Sequence, residues 1–256
     1  MNALIQQIAN NGTSLDIYGT ICTAGTVISA CYSLYHGWKI GLKKWRVFVV
    51  LPVIVWFMAW FQSFIFPFLR VIQENQFLGI QTATNSIVRV FVFIPLVCFV
   101  LAKVLRTRWS LVCDGVALYP LLRSGISQLA CIFPGCCRGY SCSWGIYNIK
   151  VQENCFPTQI LETVLTLGIF FFLVIRTKRK HYVSDGKLFP LMMVLYGAMR
   201  FVCELLRNNE KIFLGISAVG LHAAFLCVVG LAALLITKGK RSIEANKEPM
   251  ANENKK

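Results

Sequence analysis

Apolar runs long enough to cross a bilayer recur along this chain, separated by short loops rich in Lys and Arg. A span needs about 20 mostly apolar residues to cross roughly 30 Å of hydrocarbon. Seven stretches qualify: 16–35, 47–68, 87–104, 111–133, 158–175, 187–206 and 213–236. Lipid offers no partners to free backbone N–H and C=O groups, so such a chain is expected to fold as helices that satisfy their own hydrogen bonds. Composition agrees, with 56% of residues hydrophobic and 14% charged, against about 25% charged in soluble domains. The expected fold class is an all-α integral membrane protein, with a seven-helix domain over 1–237 and a disordered basic tail over 238–256.

The basic residues set the sides. Lys39, Lys43, Lys44 and Arg46 lie between the first two spans, and Lys103, Arg106 and Arg108 between the third and fourth. Arg176, Lys178, Arg179 and Lys180 lie between the fifth and sixth, and the tail carries more. These loops alternate onto one face, which the positive-inside rule makes cytoplasmic. The N-terminus is then outside, the C-terminus inside, and the segment after the fourth span lies at the outer rim. The +15 net charge is therefore a topological signal, not a groove for nucleic acid. The first residues carry no Lys or Arg and no small-residue cleavage site before the first apolar run, which argues against a removable signal peptide. No phosphate-binding glycine loop, HExxH or GxSxG motif is present. Cys22, Cys31, Cys98 and Cys227 sit within apolar runs and read as small core residues, not as a disulfide framework.

Polar residues inside the spans point to a cavity. The fourth span carries Asp114, Arg123, Ser124, Ser127 and Gln128, and is expected to be bent or irregular where it lines that cavity. Arg89, Arg123, Glu162, Arg200 and Glu204 also fall within or at the edge of spans, where a charge costs about 3 kcal/mol or more unless it faces a cavity or a partner. In the sixth span Tyr196, Arg200, Glu204 and Arg207 recur at helical spacing and share one face. Arg200 and Glu204 are placed to pair within the helix, leaving Arg207 for an anion at the outer rim. A guanidinium steadied by a carboxylate presents a fork to phosphate; the alternative is an intrahelical ion pair with an arginine reaching the headgroups. In FPTQILE, residues 156–162, Pro157 suits a helix start, Thr158 and Gln159 can cap it or line a cavity, and Glu162 sits one turn deeper.

The stretch CIFPGCCRGYSCSWG, residues 131–145, reads as a re-entrant turn at the outer face. Gly135 and Gly139 allow close backbone approach to a ligand and an anion nest, with Arg138 adding fixed charge at headgroup depth. Three readings of its cysteines stay open: a zinc site on Cys131, Cys136, Cys137 and Cys142, a vicinal Cys136–Cys137 redox pair, or small residues packing a tight turn.

The order of these elements resembles the prolipoprotein diacylglyceryl transferase family. That family pairs an arginine-led, glycine- and asparagine-rich signature with P-[ST]-Q-x-x-E and Y-G-x-x-R-x-x-x-E-x-x-R. Here Gly135 and Gly139 match the signature's glycines, Pro157, Thr158, Gln159 and Glu162 the second motif, and Tyr196, Arg200, Glu204 and Arg207 the third. Tyr18–Gly19, Asp114 and Pro120 also fit. The resemblance implies a multi-pass plasma-membrane enzyme with seven spans. It would transfer a diacylglyceryl group from phosphatidylglycerol to the lipobox cysteine of a secreted precursor, with no cofactor, no metal and no nucleic acid among its partners. The implied catalytic residues are Arg200, oriented by Glu204. Gly135, Arg138, Gly139, Gln159, Glu162, Tyr196 and Arg207 would bind membrane lipid and substrate.

Three positions depart from the pattern. Gln128 stands where the signature begins with arginine, Cys131 stands at its first asparagine, and no histidine occurs between the second and third spans. Arg138 or Arg89 is a candidate replacement for the arginine, and His222 for the base. His36 and His181 fall in cytoplasmic loops on this reading. Two alternatives are carried alongside: a non-catalytic lipid-binding relative, and a membrane thiol oxidoreductase using Cys136 and Cys137.

Overall fold

A computed structural model describes the backbone of residues 14–60, 87–208 and 215–253. The second span beyond Trp60, the loop before the third, and the side chain of Arg89 lie outside the described residues. The protein is mostly helical. Helix α1 covers Ser14–Lys39, α2 Lys44–Trp60, α3 Ile87–Val104, α4 Trp109–Val116 and α5 Leu118–Ala130. A hairpin of β1, Ser141–Asn148, and β2, Glu153–Cys155, precedes α6, Thr158–Arg179, then α7, Leu188–Leu205, and α8, Ala218–Glu253. Four helices among the described residues are long and apolar enough to cross a membrane: Leu15–Lys39, Thr158–Arg179, Leu188–Leu205 and Ala218–Thr237. The backbone of α8 continues helical to Glu253, into the segment expected to be a polar tail.

The interruption expected in the fourth span falls at Ala117, between α4 and α5. Pro120 supplies no amide to the carbonyl of Val116, which opens the ladder there. Ala117 keeps helical angles (φ −56°, ψ −34°), so the two pieces follow one another without reversing. The hairpin was not expected. Its antiparallel register pairs Ser141 and Ile146 both with Cys155, a bulge that leaves Gly145 with its position against the Cys155 carbonyl. A Cβ at Gly145 would sit 2.1 Å from that oxygen, so only glycine fits.

The interior is built by Ile54, Met58, Phe91, Ile94, Leu118, Tyr119, Leu121, Phe189, Met192 and Met193, all almost fully buried. Large apolar side chains also point outward, among them Phe48, Trp56, Phe171, Phe172, Phe225 and Val228. An apolar exterior of this extent suits hydrocarbon as solvent, whereas water would drive it into aggregates.

One carboxylate ties the bundle together. Asp114 on α4 is 1% exposed. Its Oδ1 accepts the amides of Leu188 and Phe189, each at 3.1 Å, and its Oδ2 accepts Ser184 Oγ at 2.7 Å and the Gly186 amide at 2.9 Å. Leu188 and Phe189 open α7, so Asp114 caps that helix from a different part of the chain, in the position an N-cap side chain would otherwise fill. Charge on the cap also suits the positive end of the helix dipole. The same end of the bundle holds Ile40, Arg176, Lys180 and Asp185 around a shared recess, bringing two of the basic loops together.

Replacing Asp114 with Ala removes a charged acceptor from four donors and is expected to cost about 3 kcal/mol; Asn should cost less. Thermal unfolding in detergent measures both, and an unchanged midpoint for Asp114→Ala would contradict the capping role. Asp185 gives a pH counterpart. Burial pushes its carboxyl up, but hydrogen bonds from Lys180 and the Lys187 amide, with Arg176 at 3.3 Å, hold it below the usual carboxylate range. Its contribution to stability is therefore complete above the unfolded value of about 3.9 and declines as pH falls through the lower folded value. Unfolding midpoints measured down through that window should fall more steeply in the parent protein than in Asp185→Asn.

Candidate active site

Four ionised side chains meet at the far end of α7 from Asp114. Tyr196, Arg200 and Glu204 follow one another along one face of α7, and Arg207 lies just beyond its end. There the chain leaves the helix and the Arg207 backbone pairs with Gly139 as an isolated antiparallel bridge. This brings the guanidinium of Arg207 back into the interior, where it is 3% exposed. It is therefore not a free rim arginine, as the spacing alone led one to expect. Its Nη2 donates to Glu162 Oε2 at 2.7 Å and lies 3.5 Å from Gln128 Oε1.

Glu162 is the hub. Its Oε2 also contacts Nη1 of Arg200, so one carboxylate oxygen serves two guanidinia, one on α7 and one just beyond it. The expected Arg200–Glu204 pair is present but longer, at 3.8 Å, and Glu204 lies 3.9 Å from Nε of Arg207. Glu204 is held from the other side by Ser217, which donates to its Oε1 at 2.7 Å. Ser217 Oγ in turn accepts the Gly220 amide at 3.2 Å, the bond of an N-cap at the start of α8. Two arginines and two glutamates balance in formal charge, the condition under which ions are tolerated away from water. Among the described residues, Glu162 Oε1, Arg200 Nε and Arg207 Nε have no hydrogen-bond partner. The cluster thus holds donors aimed into the protein that its own carboxylates do not saturate.

The polar face of α5 turns toward this cluster. Ser124 hydrogen-bonds the hydroxyl of Tyr196 at 3.0 Å, and Thr163 on α6 donates to the Gly125 carbonyl at 3.2 Å. Arg123 points the other way, to Thr26 of α1 at 3.2 Å.

Over the cluster lies the loop 131–140, and the FPTQILE segment clamps it. Thr158 Oγ1 donates to the Cys137 carbonyl and Gln159 Nε2 to the Cys136 carbonyl, both at 2.6 Å. Gln159 is therefore engaged with backbone, where the sequence placed it on glycerol or phosphate. The glycine amides differ from expectation too: that of Gly135 goes to Ile132 O at 3.3 Å and that of Gly139 to Phe156 O at 3.2 Å. They form no open anion nest. Gly135 is required by its positive φ of +66°, and Gly139 by a Phe156 carbonyl that a Cβ would meet at 2.8 Å. Asn148, at the end of β1, locks the turn by donating to Gly135 O at 2.9 Å. Arg138 is half-buried, its carbonyl accepting the Asn208 amide at 3.4 Å, and its side chain lines a small recess with Tyr147, Asn148, Phe156 and Gln159.

The model of the prolipoprotein diacylglyceryl transferase family matches residues 6–237. The chain belongs to that family. Among its relatives is a phosphatidylglycerol–prolipoprotein diacylglyceryl transferase 2 of Clostridium perfringens, 22% identical over 86% of this chain and 89% of the relative. Phosphatidylglycerol–prolipoprotein diacylglyceryl transferases of Dehalococcoides mccartyi and Helicobacter acinonychis are 29% and 30% identical, over 50% and 37% of this chain and 51% and 35% of their own lengths.

Gln128, on the polar face of α5, presents an acceptor to Arg207. His36 is buried in α1 near the Gly115 carbonyl at 3.4 Å, not in a loop, because α1 runs four residues past the expected end of its span. His222 bonds the Ala218 carbonyl within α8. In the loop, Cys137 adopts a left-handed φ of 59° and its thiol is held below the usual range by hydrogen bonds from Cys131 and Cys136, with Arg207 and Arg200 reinforcing against burial.

Glu162→Gln should cost about 3–5 kcal/mol, because it leaves two buried guanidinia without their shared counter-charge. Adding Arg207→Gln should recover part of that loss. Denaturant titration of the three variants tests the hub, and a neutral Glu162→Gln would remove it.

Proposed function

We propose that this chain transfers a diacylglyceryl group from phosphatidylglycerol to the lipobox cysteine thiol of a secreted precursor at the plasma membrane. It does so as a seven-span protein with its N-terminus outside and its C-terminus cytoplasmic. The observation that carries the reading is the buried quartet of Glu162, Arg200, Glu204 and Arg207, with guanidinium donors left unsaturated. Family membership supports the reaction class, and the alternating basic loops support the orientation.

In this reaction the acceptor sulfur forms a bond to the glycerol carbon that carries the phosphate. The carbon–oxygen bond to phosphate breaks, glycerol phosphate departs with the electron pair, and the thiol proton passes to solvent or to the departing phosphate. The leaving phosphate gains negative charge as the bond lengthens, so donors fixed near it and shielded from water lower the barrier, by roughly 3–4 kcal/mol for a well-placed one. Arg200 is assigned that contact, with Glu204 orienting it and Arg207 the second donor. The guanidinium hydrogens left unsaturated are offered to the phosphate, while Glu162 competes with it for those it already holds. Arg138 gathers headgroups at the outer rim.

The test supplies purified protein in phosphatidylglycerol liposomes with a lipobox peptide and reads the adduct by mass. The expected product is a thioether of diacylglyceryl mass. Arg200→Ala should reduce its rate by about 10²–10³-fold, and Arg200→Lys should not restore it, since an ammonium lacks the planar fork. Absence of any adduct, with phosphatidylglycerol still bound, would replace this reading with that of a non-catalytic lipid-binding relative.

A further inference from the structure

The sulfurs of Cys131, Cys136 and Cys137 lie within 4.8 Å of one another, and no His, Asp or Glu joins the group among the described residues. Cys142, the fourth member of the zinc set weighed from the sequence, is not part of it. A metal–sulfur bond of about 2.3 Å sets three coplanar thiolates roughly 4.0 Å apart, well inside that limit. All three residues are half-buried and all are free thiols.

The loop does more than pack small residues. Cys137 holds a positive φ of 59°, a conformation that side chains other than glycine and asparagine rarely keep unless their surroundings impose it. What imposes it is specific: consecutive carbonyls, those of Cys136 and Cys137, are each fixed at 2.6 Å by Gln159 and Thr158. Asn148 fixes the preceding glycine carbonyl, at 2.9 Å. The strain turns the Cys137 thiol onto the same side as the other two. Supporting residues that orient ligating side chains in this way are the usual companion of a metal site.

We propose that Cys131, Cys136 and Cys137 form a three-thiolate site for a soft monovalent cation, of which copper(I) is the representative. Structural zinc sites take four protein ligands, commonly four cysteines, whereas three thiolates with no fourth protein ligand among the described residues suit a soft ion that accepts trigonal coordination. Three S–H bonds are exchanged for three S–Cu bonds and the three protons pass to solvent, with no change of oxidation state. The resulting centre carries two net negative charges. Arg138 in the same loop and Lys150, which acts electrostatically on Cys136, supply two positive ones, while the buried quartet beneath is already balanced. The site is independent of the transfer reaction, so its failure would leave the proposed function standing, and the converse.

The full chain, purified in detergent, reduced and kept anaerobic, is titrated with copper(I) against bicinchoninate as the competing chromophore. One equivalent should be withdrawn from the competitor, and X-ray absorption on the loaded protein should give three sulfur neighbours at about 2.3 Å. Cys131→Ser, Cys136→Ser and Cys137→Ser should each weaken uptake by more than a hundredfold, and Cys142→Ser, Cys203→Ser and Cys227→Ser should not change it. Thr158→Val and Gln159→Leu keep every thiol and should weaken uptake by roughly 10–100-fold, as loss of a supporting residue does. Elution as a monodisperse peak qualifies each variant for inclusion. No uptake by the reduced parent protein, equal uptake after loss of any one of the three thiols, or preferential binding of zinc(II) with a fourth ligand in the absorption spectrum would each overturn the proposal.

Discussion

One carboxylate oxygen shared by two arginines organises this molecule. Glu162 on α6 takes Arg200 and Arg207 together, and because those residues lie on and beyond α7, the ion pairs fix the two helices against each other at one depth. Balanced charge makes the burial tolerable, and incomplete hydrogen bonding keeps it receptive. Much else follows from keeping that arrangement in place. The polar face of α5 supplies Ser124 and Gln128, Ser217 steadies Glu204 from the start of α8, and the hairpin with its preceding loop closes over the top. A quartet of ions inside an apolar bundle would otherwise relax toward water.

The helical parts of this architecture were legible because lipid imposes a simple rule on sequence. The mostly helical character, a break within the polar fourth span, and the helical spacing of Tyr196, Arg200 and Glu204 carried into the structure, with four helices among the described residues long and apolar enough to span. What escaped is what period and composition do not encode. Arg207 looks, by spacing, like one more residue of a helical stripe at the membrane rim. It is internal because the backbone leaves the helix at Leu206 and pairs with Gly139, a contact between segments distant in sequence. The residues of the second motif resemble ligand-lining groups, yet Thr158 and Gln159 spend their donors on neighbouring carbonyls. The hairpin was hidden by its bulge and by Gly145 and Asn148, residue types depleted in strands. Ser217 had a visible signal, a serine just before an apolar helix, but its second role toward Glu204 needed the fold.

Gln128 shows how a neutral side chain fits beside buried ions. A guanidinium there would stand beside Arg207 as a third cation; glutamine instead offers an acceptor at 3.5 Å and leaves the quartet neutral.

Asp114 has a consequence for how the bundle comes apart. Its Oδ1 holds the first amides of a helix that begins some seventy residues later and its Oδ2 the turn before it, and that helix has no side-chain cap from its own N-cap residue. Fraying at the start of α7 and displacement of α4 are then a single event, and the two segments behave as one cooperative unit in native-state exchange. The opening that would loosen the arginine-bearing helix must begin with a carboxylate leaving its four donors, at the end of the bundle farthest from the arginines.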